Sequence, residues 1–273
     1  RTQNPEPRTQ KLQMTTREYI QTNPGLLSIY MTSEYPNAGD TTRTLLGLHS
    51  SGVGMIEVGM PFSDPLADGP VIQQSSMKAI ENGFRLDDFF SHIESVREQI
   101  DIPLVPMGYF NAVLSYGLEK FLSRCQSLKI DTVIVPDMPM ESFEAQYKPV
   151  FDAHEVYPVF LISPKTSDER IRKIDALSKS FIYVVADNSI TGAKKGFSDA
   201  QKDYFKRVAD MNLTSPLIIG FGISDRATFE SACEFANGAI IGSAFIRAVG
   251  HGGELENNIS GFVEGILASH SPS

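Results

Sequence analysis

Eight short runs rich in β-branched and apolar residues recur along the chain, at 27–32, 55–58, 104–107, 132–135, 157–162, 181–185, 217–220 and 239–241. The stretches between them are long enough for a helix and often carry its apolar spacing. Residues 41–51 set Leu45, Leu46 and Leu48 to one side, and 168–178 set Ile171, Ile174 and Leu177 on one face. Strands that alternate with helices form parallel β/α units. Eight of them in 273 residues predict a single-domain (β/α)8 TIM barrel. An open doubly wound sheet reads the same strand by strand, so the loops have to decide.

Bulk properties exclude several classes of function. Hydrophobic residues make up 41% and charged residues 21% of the chain, a balance that buries a sizeable core. A net charge of −9 with no basic cluster opposes a nucleic-acid partner. Cys125 and Cys233 are far apart and signal neither a zinc site nor a disulfide framework, which predicts a reduced, cytoplasmic setting. No run approaches the ~18 apolar residues of a membrane span. Residues 1–13 are polar, repeat RTQ and precede Met14; they are expected to be a flexible leader or an expression remnant, with the barrel domain at 14–273. His49, His92, His154, His251 and His270 have no metal or triad spacing, and neither a Walker loop nor a dinucleotide fingerprint occurs. No metal site is expected.

Barrel chemistry sits in the loops after the strands. The loop 59–70, after the second run, holds three prolines and two glycines, more stiffening than a plain connection requires. Glu57 interrupts the apolar run just before it, where desolvation favours the neutral acid and lifts its pKa. Its structural alternative is an ion pair with a Lys or Arg of another strand. Asp68 lies 11 positions on and can face the same mouth from a second direction. On spacing alone Asp68 reads as a turn or capping residue, because Asp-Gly-Pro is ordinary turn chemistry and a helix begins near Val71.

Late in the chain, the glycine-bearing turns 220–225 and 242–245 follow consecutive strands, and a short helix follows the second. Such a pair is a common phosphate cradle in barrels, whereas either alone reads as a tight turn. Residues 187–196 form a long polar loop with glycines, either a lid or a plain surface loop. Tyr183, alternating with Val185, either points its hydroxyl into the barrel or is simply core.

These residues together resemble the tryptophan synthase α subunit family. Residues 56–70, IEVGMPFSDPLADGP, are close to the family's signature around its two acids. Gly108-Tyr109-Phe110-Asn111, Pro136-Asp137-Met138-Pro139, Ile190-Thr191-Gly192-Ala193, Gly220-Phe221-Gly222-Ile223-Ser224 and Gly242-Ser243-Ala244 follow in the expected order. The resemblance covers residues 26–267. It implies a retro-aldol lyase that splits indole-3-glycerol phosphate into indole and glyceraldehyde 3-phosphate in tryptophan biosynthesis, with no cofactor in this chain.

By the same resemblance Glu57 is the acid/base, Asp68 holds the indole N–H, and Tyr183 supports Glu57. Tyr30, Ile72, Met107, Tyr109 and Phe221 line the indole pocket, and Thr191 bonds Asp68 when a lid closes. Gly192, Gly222, Gly242 and Ser243 hold the phosphate. The implied partner is a pyridoxal-phosphate (PLP) β chain in an α2β2 heterotetramer, met through Asp64 and Asn111. Three positions depart from the pattern: Glu34 stands where the first loop usually has glycine, and Asp187 and Ser189 alter the lid segment. A free-standing lyase, a regulator that has lost catalysis, and another phosphate-binding barrel isomerase are the competing functions.

Overall fold

The computed structural model describes residues 14–63, 68–186 and 196–268. Its strands are β1 (Leu26–Thr32), β2 (Met55–Gly59), β3 (Leu104–Met107), β4 (Thr132–Ile134), β5 (Tyr157–Ile162), β6 (Ile182–Val185), β7 (Leu217–Gly220) and β8 (Gly238–Ile241). Each pairs in parallel with its sequence neighbour, and β8 closes on β1. That closure decides between barrel and open sheet. Every strand lies within one residue of its sequence expectation at either end.

A barrel strand is covered on both faces, so β1, β2, β4, β7 and β8 are buried at every position. The helix faces expected from the apolar spacing supply the outer cover. Leu45 and Leu48 of Asp40–Ser50 and Ile171 and Ile174 of Asp168–Leu177 are buried, while Leu46 and Leu177 pack at the edge of the core. At the seam, a Cβ on Gly238 would lie 2.3 Å from the Leu26 carbonyl oxygen, so only glycine lets β8 approach β1 there.

Strand register decides which side chains share the interior. Tyr30 pairs with Glu57, Glu57 with Val105, Leu161 with Tyr183, and Tyr183 with Ile218. Partners in a parallel ladder point the same way, so Glu57 and Tyr183 reach one interior face from different strands. Two helices frame one side of the site. Pro70–Glu81 follows Asp68, with proline in its first turn, and Ser243–Gly250 follows β8. They pack on each other and on β1. Among the described residues no helix is long and apolar enough to cross a membrane.

Candidate active site

Glu57 is 1% exposed and its Oε1 has no hydrogen-bond partner among the described residues. Burial alone pushes its pKa up to about 8, so the group is mainly the neutral acid at pH 7. No described cation offsets that burial, which sets aside the ion-pair reading.

Asp68 emerges from the loop after β2. The Tyr109 hydroxyl donates to its carboxylate at 3.1 Å, and Gln73 Nε2 donates to its carbonyl at 2.9 Å. The following helix is capped by Gly69 with no side-chain bond, so the Asp68 carboxylate is not spent as a cap. Burial raises its pKa and the Tyr109 bond opposes that rise. Phe62 stacks on Tyr109 with centroids 5.0 Å apart and planes at 22°, which fixes the ring that holds Asp68.

Tyr183 is 4% exposed, and its hydroxyl lies where a Cβ on Gly220 would come within 2.0 Å. Burial first, then the charges of Glu57 and Asp68, keep this phenol protonated. Tyr30 lies over Gly59 in the same manner, a Cβ there falling 2.3 Å from its hydroxyl, and burial followed by Asp68 raises its pKa. Two glycines thus let two tyrosines lie flat beside the carboxylates.

A small pocket lies between Tyr30, Asp68, Met107 and Tyr109, all expected from the sequence. Met60, Phe62, Ser76, Gly108 and Pro136 complete its walls and were not expected to line it. Ile72 and Phe221 stand beside it rather than on its wall. Ile72 Cδ1 would touch a Cβ on Gly242 at 3.5 Å, and Phe221 meets Tyr183 edge-on at 6.1 Å. A slot walled by aromatic rings and methionines, with one carboxylate held at its edge, suits a flat bicyclic amine.

Beside that slot, Phe221 and Gly222 have φ values of 71° and 73°. The left-handed turn they form follows β7 directly. Gly242 caps Ser243–Gly250 without a side-chain bond, so the first N–H groups of that eight-residue helix remain for a ligand. Asn111 is exposed on the helix Phe110–Tyr116, whose Phe110 N–H is accepted by the Asp137 carboxylate at 2.8 Å, a cap from the neighbouring loop that spacing could not reveal. Asp64, Thr191 and Gly192, and the departures Asp187 and Ser189, lie outside the described residues, as does 1–13.

A profile of the tryptophan synthase alpha chain family matches residues 17–266. The alpha chain of Flavobacterium psychrophilum is 48% identical over 91% of this chain and 97% of its own length. That of Christiangramia forsetii is 47% identical over 91% and 96%. A chain solved in a study of mutual activation in the Pyrococcus furiosus tryptophan synthase α2β2 complex superposes with a TM-score of 0.83, at 32% identity over 90% of this chain and 98% of that one. With a family match over most of its length and relatives close to half identical, this chain belongs to the tryptophan synthase alpha chain family.

Proposed function

We propose that this chain cleaves indole-3-glycerol phosphate to indole and glyceraldehyde 3-phosphate, with Glu57 moving the protons and Asp68 holding the indole nitrogen. The observation that carries the reading is Glu57 itself, a buried carboxylic acid with an unpartnered oxygen on the face where Asp68 and Tyr183 converge. Neutral Glu57 gives its proton to indole C3, which makes the ring a cation. Asp68, ionised and bonded to the ring N–H, stabilises that charge where it develops. Glu57, now a carboxylate, takes the proton of the side-chain hydroxyl next to C3. The hydroxyl carbon becomes a carbonyl, the carbon–carbon bond breaks, and its electrons restore aromatic indole. Glu57 ends protonated, ready for the next turnover.

Tyr183 keeps Glu57 oriented, and Tyr30, Ile72, Met107, Tyr109 and Phe221 receive the indole. Gly222, Gly242 and Ser243 take the phosphate, joined by Gly192 as the resemblance implies, and Thr191 closes on Asp68. No cofactor is required in this chain, because protonation makes the ring the electron acceptor. The chain acts in the cytoplasm with a β chain that carries PLP, docking through Asp64 and Asn111 in an α2β2 heterotetramer; the Pyrococcus furiosus relative was solved in a study of such an α2β2 complex.

Indole release measured with and without the β chain tests this. The complex is expected to turn over, with Glu57→Gln and Asp68→Asn each lowering kcat by roughly 10²-fold or more. A complex in which either variant keeps wild-type turnover would reject the assignment.

A further inference from the structure

The loop 33–40, between β1 and Asp40–Ser50, carries a buried carboxylate that the proton transfers leave unused. Glu34 is 7% exposed and its φ is +60°, a left-handed conformation that favours glycine. Every partner of its carboxylate is a donor: the Gly39 N–H at 2.6 Å, the Thr41 hydroxyl at 2.7 Å and His92 Nε2 at 3.1 Å. Thr41 Oγ1 also accepts the Glu34 N–H at 2.8 Å, so the side chain and backbone of Glu34 close on one hydroxyl. A side chain so confined at a strained backbone position persists when its surroundings over-determine it.

The loop it fixes reaches both helices that frame the site. Asn82, which ends Pro70–Glu81, donates to the Glu34 carbonyl at 2.7 Å, and the Thr32 and Ser75 hydroxyls bond at 2.7 Å beside it. On the other side, a Cβ on Gly250, the last residue of Ser243–Gly250, would fall 2.1 Å from the Tyr35 hydroxyl. One loop therefore holds the C-terminal ends of two helices whose N-terminal ends adjoin Asp68 and Ser243.

We propose that Glu34 is a positioning residue: by fixing the loop 33–40 it sets the separation between the indole slot and the phosphate-binding helix, and so the length of substrate gripped at both ends. The proposal rests on the lyase reading above. A two-ended ligand gains affinity when the second grip is already at the right distance, and loses that gain when the grips are mis-spaced. Fragments that use one grip do not feel the spacing.

The test uses the αβ complex and two variants. Glu34→Gly allows φ +60° without a carboxylate, and Glu34→Gln keeps the size but points an amide N–H at groups that are themselves donors. Binding is measured for a non-cleavable indole-3-alkyl phosphate, for indole and for glycerol 3-phosphate, together with kcat and KM. Both variants are expected to bind the two-ended ligand about tenfold more weakly and each fragment within about threefold, with KM raised and kcat within about threefold. Wild-type affinity for the two-ended ligand in Glu34→Gly, or an equal loss on the fragments, overturns the proposal. Should both variants unfold, His92→Gln removes one donor and leaves the turn: a selective loss of about threefold or more on the two-ended ligand supports the proposal and its absence rejects it. A wild-type complex that binds all three ligands and releases no indole rejects the lyase reading and leaves the positioning result to stand on the binding data.

Discussion

At the scale of single residues, the central fact is that Glu57 is buried with no ion partner among the described residues, and this links stability to pH. The folded pKa of about 8 lies above the ordinary value of 4.5. Below pH 4.5 both states hold the proton and the group is neutral in its effect. As pH rises from 4.5 to 8 the unfolded chain ionises first, so stability falls through that window and levels off above it. Glu57→Gln lacks this loss. Its gain over wild type should grow by on the order of 3 kcal/mol between pH 5 and pH 8, since each pKa unit is worth about 1.4 kcal/mol. Denaturant unfolding at the two pH values checks it, and a gain independent of pH would contradict it.

Asp68 gives a second prediction. Tyr109→Phe keeps the ring on Phe62 and removes the hydrogen bond that holds the Asp68 pKa down. The acid limb of kcat/KM should move to higher pH, with the loss of activity greatest on the acid side. A limb unmoved by the substitution would show that Tyr109 only lines the slot. Of the two acids, Glu57 stood out in the sequence because it interrupts an apolar run, but an ion pair with a Lys or Arg of another strand explained it equally well until its burial was seen. Asp68 did not, since Asp-Gly-Pro is a common turn, and only the family pattern singled it out. Met60 and Phe62 were missed because a loop's path, not its composition, decides what faces a pocket, and Ser76 because nothing in the sequence marks which face of Pro70–Glu81 meets it.

At the scale of elements, the strands were readable because a barrel strand is buried on both faces and therefore apolar almost throughout. Their ends were readable because glycine, proline and polar residues take over at once. Close contacts between elements were not. Gly220 and Gly47 look alike in the sequence, yet a Cβ would meet the rigid Tyr183 ring and hydroxyl from 2.0 Å at the first and the flexible Ile259 Cδ1 at 2.9 Å at the second. Gly220→Ala should cost about 2–3 kcal/mol and impair turnover, because Tyr183 must leave its place beside Glu57. In Gly47→Ala the helical preference for alanine offsets the repacking of Ile259, so the change should stay within about 1 kcal/mol. Thermal unfolding of the two variants separates them, and equal losses would contradict the account.

At the scale of the whole molecule, closure of β8 on β1 brings residues more than a hundred positions apart to one mouth: Glu57 and Asp68 from the second unit, Tyr183 from the sixth, and the glycine turns from the seventh and eighth. The order of units was legible; the convergence follows only once the sheet is a barrel. Glu34, a departure in a loop after the first strand, acquires meaning at this scale too, since it holds two helices that are distant in sequence and adjacent in space.

The most direct test of the account is the pH dependence of indole release, as kcat/KM, by the wild-type αβ complex. An alkaline limb is expected near pH 8, where Glu57 loses the proton it must deliver, with no comparable limb in the residual activity of Glu57→Gln. A wild-type rate that stays level well beyond pH 8, or a limb that survives in Glu57→Gln, would contradict it.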